Sequence, residues 1–189
     1  MNISAVLLAG GESRRMGRDK ATVLFREKPL WRVQLELLRK LEPAEIFVSA
    51  RTNPIWRPDE VQFVADNAPS RGPMSGLAAS LAKVRTKHLL ALAIDMPFMT
   101  EEYLRFLGNQ IEPGLGVVAK IEDRFEPLAA FYPDEALANF QTALSGTDFS
   151  MQTLAGRLAA EGKLRVVPVT SQERNLFLNV NELSDLALL

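Results

Sequence analysis

The chain of 189 residues contains no cysteine and a single histidine. The absence of cysteine excludes disulfide bonds, thiolate metal sites and a cysteine nucleophile. No apolar run approaches the roughly 20 residues that span a bilayer, and no basic segment precedes an apolar stretch at the N-terminus, so we expect a cytoplasmic protein without a membrane partner. The formal net charge of -1 argues against a broad nucleic-acid surface. Because 189 residues is the length of one ordinary domain, we expect a single domain over residues 1–189.

Strand and helix patterns alternate along the chain. The predicted strands are short and nearly continuously apolar, which is typical of strands covered on both faces; they are Ile3–Leu8, Glu45–Ala50, Val61–Ala65, His88–Ile94, Gly116–Ile121, Leu128–Tyr132 and Leu164–Val169. Helices are predicted over 30–41, over 74–84, after Thr100 as a cap, from Pro133 as a first helical residue, and from Ser150 as a cap to Gly162. This alternation predicts an α/β fold with a mostly parallel central sheet and helices on both faces, that is, three layers.

The segment after the first strand has an unusual composition. Three glycines and four basic residues lie between Gly10 and Lys20. Glycine lets backbone N–H groups approach an anion closely, and arginine and lysine neutralise its charge. The spacing matches neither GxxxxGK[ST] nor GxGxxG. We interpret the segment as a polyphosphate-binding loop, with a tight turn carrying solvated arginines as the alternative.

Two aspartates follow other predicted strands. Asp95 comes directly after the apolar run that starts at His88, and Asp66 follows the strand that starts at Val61. In parallel sheets, ligands bind beyond the carboxyl ends of the strands. Asp95 is suited to hold Mg²⁺ beside phosphate oxygens, and Asp66 to contact a sugar or base; each also fits a simple turn or loop aspartate. We expect His88, at the opposite end of its strand, to be a surface or edge residue away from the cleft.

These residues together indicate chemistry on a nucleoside triphosphate. Phosphoryl and nucleotidyl transfers need positioning, cations on the phosphates and a metal ion more than covalent catalysis. A loop rich in glycine, arginine and lysine and a strand-end aspartate supply these requirements. The missing cysteine and the single histidine are therefore no obstacle to such a reaction.

The sequence also resembles a known family. Leu8-Ala9-Gly10-Gly11-x-Ser13-x-Arg15-Met16-Gly17-x-Asp19-Lys20 is similar to the signature of molybdenum cofactor guanylyltransferases, which are nucleotidyltransferases with a Rossmann-like sheet. Further similar segments follow in the family's order: Lys28-Pro29-Leu30, Asp66 with Gly72-Pro73-x-x-Gly76, Asp95-Met96-Pro97-Phe98 and Phe177-x-Asn179-Val180-Asn181. The resemblance thus touches most of the chain.

The resemblance implies a role for each matching position. The exit of the first strand would contact the guanine nucleotide through Leu8, Ala9, Gly10 and Gly11. Arg15 and Lys20 would hold the triphosphate and stabilise the departing pyrophosphate. Asp66 would contact the nucleotide, and Asp95 would bind Mg²⁺ and the phosphates.

The remaining matches lie elsewhere in the chain. Asn179 and Asn181 would lie near the pterin, although Asn181 also fits a helix cap. A nucleotide-contacting asparagine of the family falls around residues 49–53, where either Arg51 or Asn53 takes its place.

The reaction implied is transfer of GMP from GTP to molybdenum-bound molybdopterin, with Mg²⁺ as cofactor. Enzymes that accept the finished cofactor, or chaperones that deliver it, would be transient partners. Three alternatives stay open at this point. They are a cytidylyltransferase acting on the same pterin, a nucleotidyltransferase acting on another small molecule such as a sugar phosphate, and a non-catalytic nucleotide sensor.

Overall fold

A computed structural model describes residues 2–10, 19–66 and 69–180. The strands in chain order are β1 (Ser4–Leu8), β2 (Leu24–Phe25), β3 (Lys28–Pro29), β4 (Glu45–Ala50), β5 (Gln62–Ala65), β6 (His88–Ala93), β7 (Gly116–Ile121), β8 (Arg124–Pro133) and β9 (Leu164–Pro168). The α-helices are α1 (Leu30–Lys40), α2 (Pro73–Leu81), α3 (Glu101–Gly108), α4 (Leu137–Ser145) and α5 (Met151–Ala160). Within the described ranges, no helix combines the length and apolar composition needed to cross a membrane.

A seven-stranded sheet forms the centre of the molecule, in the order β5-β4-β1-β6-β8-β7-β9. The pairs β5-β4, β4-β1, β1-β6 and β7-β9 are parallel, whereas β8 is antiparallel to both β6 and β7. Six strands therefore end at one edge of the sheet, which we call the carboxyl edge, and β8 begins there. The predicted mostly parallel sheet is confirmed. The hairpin of β2 and β3 was not predicted.

Helices cover both faces of the sheet, as the near-continuous apolar strands predict. The side chains of β1 alternate between two hydrophobic clusters, because Ala5 and Leu7 face one cluster and Val6 and Leu8 the other. The first cluster includes buried leucines of α1 and α3, and the second includes buried residues of α2, α4 and α5. The three-layer prediction is confirmed.

The helix starts follow the predicted capping residues in two places. Thr100 Oγ1 accepts a hydrogen bond from Tyr103 N, and Ser150 Oγ accepts one from Thr153 N, each at 3.3 Å. The prediction that Pro133 is a first helical residue is wrong. Pro133 is instead the last residue of β8, because it still stands opposite His88 of β6, and a short 3₁₀ helix over Asp134–Ala136 separates it from α4.

His88 is not a surface or edge residue, which corrects the sequence-based prediction. It lies on β6 in the middle of the sheet and only 6% of it is exposed. Its Nε2 atom is 3.0 Å from the carbonyl oxygen of Glu112 and 3.2 Å from that of Leu115, in the connection between α3 and β7 that folds against it. As expected, it sits at the start of its strand, opposite the carboxyl edge.

Candidate active site

The chain leaves β1 between two neighbouring strands and stays bonded to both. Ala9 N donates to the carbonyl oxygen of Ser49 at 2.8 Å, and Ile94 N donates to that of Leu8 at 3.1 Å. Gly10 is the last described residue before residues 11–18 of the glycine-rich loop. Because β1 lies between β4 and β6, Gly10 emerges in the interior of the carboxyl edge. Gly11 and Arg15 lie outside the described residues.

Asp66 is held tightly at the end of β5. Its carboxylate accepts hydrogen bonds from Ser49 Oγ at 2.9 Å and from Ser70 Oγ at 3.3 Å. A Cβ atom on Gly10 would lie 2.8 Å from Asp66 Oδ2, and one on Gly76 would lie 3.0 Å from Asp66 Oδ1 and even closer to Ser49 Oγ. Both positions therefore need glycine for close approach. The first strand exit and the first turns of α2 meet around one carboxylate.

Lys20 and Asp95 form an ion pair, although they lie 75 residues apart in sequence. Lys20 Nζ is 2.9 Å from Asp95 Oδ2, and the two side chains are 17% and 24% exposed. Lys20 opens a short 3₁₀ helix whose N-cap is Asp19, since Asp19 Oδ1 accepts from Ala21 N at 3.0 Å. The structure thus brings the lysine that follows the glycine-rich loop onto the aspartate that follows β6.

The loop between β4 and β5 is attached to the same region by a tryptophan. Trp56 Nε1 donates to Asp19 Oδ2 at 2.9 Å, and its ring stacks on Trp31 of α1 with centroids 5.7 Å apart. Arg51 and Asn53 are exposed on this loop. Asn53 Oδ1 accepts from Arg57 Nε at 2.7 Å, so Asn53 is oriented within the loop itself.

The C-terminal segment returns to the end of β6. Val180 N donates to the carbonyl oxygen of Asp95 at 2.8 Å, which places the exposed Asn179 beside this strand end. Asn181 lies outside the described residues. Sequence reasoning selected Asp66, Asp95 and Asn179 but missed Ser49 and Ser70, the partners of Asp66. The signal for Ser49 was a polar residue directly after the apolar residues 46–48 of β4.

The donor set suits a cation that is shared with phosphate. Within the described ranges, no three carboxylate or imidazole side chains cluster as a metal site built from protein alone. Asp95 offers a single, partly exposed carboxylate. Mg²⁺ commonly binds one or two carboxylates and takes its other ligands from water and substrate phosphates. Asp95 therefore fits Mg²⁺ in that setting.

Comparison with known proteins shows which family shares this arrangement. Residues 5–162 match the model of the MobA-like NTP transferase domain. A probable molybdenum cofactor guanylyltransferase of Opitutus terrae is 34% identical, covering 97% of this chain and 92% of its own length. The molybdenum cofactor guanylyltransferase of Syntrophotalea carbinolica is 30% identical over 96% of this chain and 88% of its own.

Solved structures agree on the fold. Molybdopterin-guanine dinucleotide biosynthesis protein A from Archaeoglobus fulgidus superposes with a TM-score of 0.79 at 24% identity, covering 98% of this chain and 95% of that one. A nucleotidyl transferase from Methanothermobacter gives 0.78 at 18% identity, with 99% and 95% covered. On the family match and the length of the sequence similarity, the chain belongs to the MobA-like NTP transferases, in the molybdenum cofactor guanylyltransferase family, and is a nucleotidyltransferase.

Proposed function

We propose that the protein transfers GMP from GTP to molybdenum-bound molybdopterin. A terminal phosphate oxygen of the acceptor attacks the α-phosphorus of GTP. The bond from the α-phosphorus to the bridging oxygen breaks, and pyrophosphate leaves with that electron pair. The products are molybdopterin guanine dinucleotide and pyrophosphate. The pairing of Lys20 with Asp95, in a chain with whole-length guanylyltransferase relatives, is the observation that carries the proposal.

Charged residues of the carboxyl edge would neutralise the phosphates and hold the metal ion. Lys20 Nζ, and Arg15 in the glycine-rich loop, would neutralise the triphosphate and the departing pyrophosphate. Asp95 would hold Mg²⁺, which supplies positive charge against the phosphates when bound. Before substrate arrives, Lys20 and Asp95 satisfy each other's charge. They are thus kept in place without leaving a lone charge in a largely buried site.

Asp66 and the glycines around it would define the place of the nucleoside. The carboxylate is fixed by two serine hydroxyls, and the backbones that carry Gly10 and Gly76 approach it closely. A fixed acceptor of hydrogen bonds suits hydroxyl or N–H groups of a nucleoside. Arg51 and Asn53, exposed on the neighbouring loop, would reach the same ligand and contribute to the choice of base.

The direct test is product formation. The protein is incubated with Mg²⁺, molybdenum-loaded molybdopterin and GTP, CTP or ATP in parallel, and the dinucleotide is identified by mass. We expect guanine dinucleotide and pyrophosphate in equal amounts, and only with GTP at a high rate. A product with CTP alone would overturn the base assignment and leave the transfer reaction. No dinucleotide with any nucleotide would overturn the proposed reaction.

A further inference from the structure

The start of β8 contains an irregularity at the carboxyl edge. Lys120 of β7 stands opposite Phe125, but Val118 stands opposite Ala130, so that Ala119 alone faces residues 126–129 of β8. Pro127 lies inside this bulge and has no N–H to donate to a ladder. Bulges of this kind redirect side chains and occur next to active sites. The bulge presents one charged residue, Glu126.

The backbone on both sides of Glu126 is fixed from the interior. The side chain of Gln152, in α5, accepts from Phe125 N at 2.9 Å and donates to the carbonyl oxygen of Phe125 at 2.8 Å. The buried hydroxyl of Tyr132 donates to the carbonyl oxygen of Pro127 at 2.7 Å. Three side-chain hydrogen bonds thus hold the bulge in one shape.

The described residues give the carboxylate of Glu126 itself no such partner. No residue in the described ranges donates a hydrogen bond to it or forms an ion pair with it. On the adjoining residues, Lys120 Nζ lies over the Phe125 ring at 5.2 Å and Arg174 pairs with Glu122 at 2.9 Å. Burial raises the pKa of Glu126 above its ordinary value of 4.5, and the charge of Arg124 offsets this only in part. A partly buried carboxylate that lacks a hydrogen-bond partner among the described residues costs stability.

Glu126 lies at the carboxyl edge, on the β8 side of Asp95. Leu92 of β6 stands opposite Ala129 of β8. Three residues beyond this pair on each antiparallel strand come Asp95 and Glu126, so both belong to the carboxyl edge. The proposed contacts to the nucleoside lie at the ends of β1, β4 and β5 or shortly after them, and we call this part of the edge the nucleotide half. Glu126 lies on the opposite side of Asp95, on β8 and next to β7, which we call the acceptor half.

We infer that Glu126 contacts the acceptor and accepts hydrogen bonds from the N–H groups of its pterin ring. The inference rests on the proposed function. A carboxylate repels the phosphate end of the acceptor, whereas a pterin presents an amino group and a ring N–H side by side as donors. A hydrogen-bonded pair with a charged member is among the stronger polar contacts. Glu126, positioned by the bulge, would then determine specificity for the pterin ring of the acceptor.

The test compares Glu126→Gln with Glu122→Gln, the same change at an exposed glutamate of the adjoining turn. For Glu126→Gln, we expect the KM for molybdenum-loaded molybdopterin to rise about ten- to hundredfold, while the KM for GTP stays within about twofold. Glu122→Gln should leave both constants unchanged. An unchanged acceptor KM in Glu126→Gln, or an equal rise for both substrates, overturns the inference. Absence of product from the wild-type protein instead overturns the proposed function on which it rests.

Thermal unfolding separates this contact from a structural role. The folded protein binds a proton at Glu126 more tightly than the unfolded chain does, so the ionised carboxylate lowers stability above its raised pKa. Glu126→Gln should therefore raise Tm at pH 7 to 8, and the gain should disappear as the pH falls below about 4.5. A lower Tm at neutral pH would show that the carboxylate stabilises the fold and would contradict the inference.

Discussion

The two halves of the carboxyl edge are built in different ways. In the nucleotide half, Asp66 is surrounded by serine hydroxyls and glycine backbone. In the acceptor half, Glu126 stands on a rigid bulge with no hydrogen-bond partner among the described residues. Asp66 is thus satisfied within the protein, whereas Glu126, which lacks a hydrogen-bond partner among the described residues, would accept its hydrogen bonds from the proposed acceptor. On the proposed function, a nucleotide held largely by backbone would require glycine at fixed places, whereas an acceptor held by side chains would not.

The junction between the halves should show the largest effect. Asp95→Asn removes the charge that pairs with Lys20 and would hold Mg²⁺, so we expect turnover to fall on the order of 10²–10³-fold. Steady-state rates at saturating substrates measure this. Asp59→Asn, at an exposed position of the loop after β4, is the matched control and should retain the wild-type rate. A fall of less than about threefold for Asp95→Asn would remove the carboxylate from the proposed mechanism.

Lys20→Ala tests whether the positive charge that pairs with Asp95 acts on the outer phosphates of the nucleotide. We expect GTP to bind about tenfold or more weakly, because a charge-assisted contact is lost, while GMP binding changes little. Calorimetry with each nucleotide measures both affinities. Lys83→Ala, at an exposed position just after α2, controls for the loss of one positive charge. Equal losses for GTP and GMP would mean that Lys20 only supports the structure around Asp95.

The smallest effects come from two helical glycines, one that packs against Asp66 and one that packs against Phe125. Gly76→Ala in α2 brings a Cβ onto Ser49 and Asp66, so we expect a loss of about 1–3 kcal/mol in the free energy of unfolding and a higher KM for GTP. Gly156→Ala in α5 places its Cβ 3.6 Å from the Phe125 ring, an ordinary contact. It should stabilise the protein by about 0.5–1 kcal/mol through helix propensity. Denaturant unfolding of both variants checks the contrast, and equal changes would contradict it.

The nucleotide half could be predicted from sequence because its residues follow strands one by one. Gly10 and Asp66, and Asp95 at the junction, each come within two residues of a strand end, and the rule for parallel sheets places such residues at one edge. Their partners could not be predicted in this way. The approach of Gly76 to Asp66 depends on how α2 packs on the sheet, which no local pattern encodes.

The first residues of β8, which form the acceptor half, could not be predicted from the sequence. The apolar run suggested a strand over Leu128–Tyr132, whereas β8 begins at Arg124. Pro127 and Glu126 broke the pattern, and only the pairing with β7 and the bonds from Gln152 and Tyr132 make these residues part of the sheet. His88 was misplaced for a related reason. A histidine at a strand start looks exposed until distant carbonyl groups are found against it.

The tryptophan stack beside Asp19 supplies an optical reporter that needs no label. The chain has two tryptophans, and Trp31 and Trp56 are therefore its entire complement. They stack on each other, and one of them is bonded to the residue that precedes Lys20. We expect a ligand that draws Lys20 away from Asp95 to disturb the neighbouring Asp19 and, through its hydrogen bond to Trp56, the surroundings of both indoles. The intrinsic emission of the unmodified protein should then follow nucleotide binding in real time.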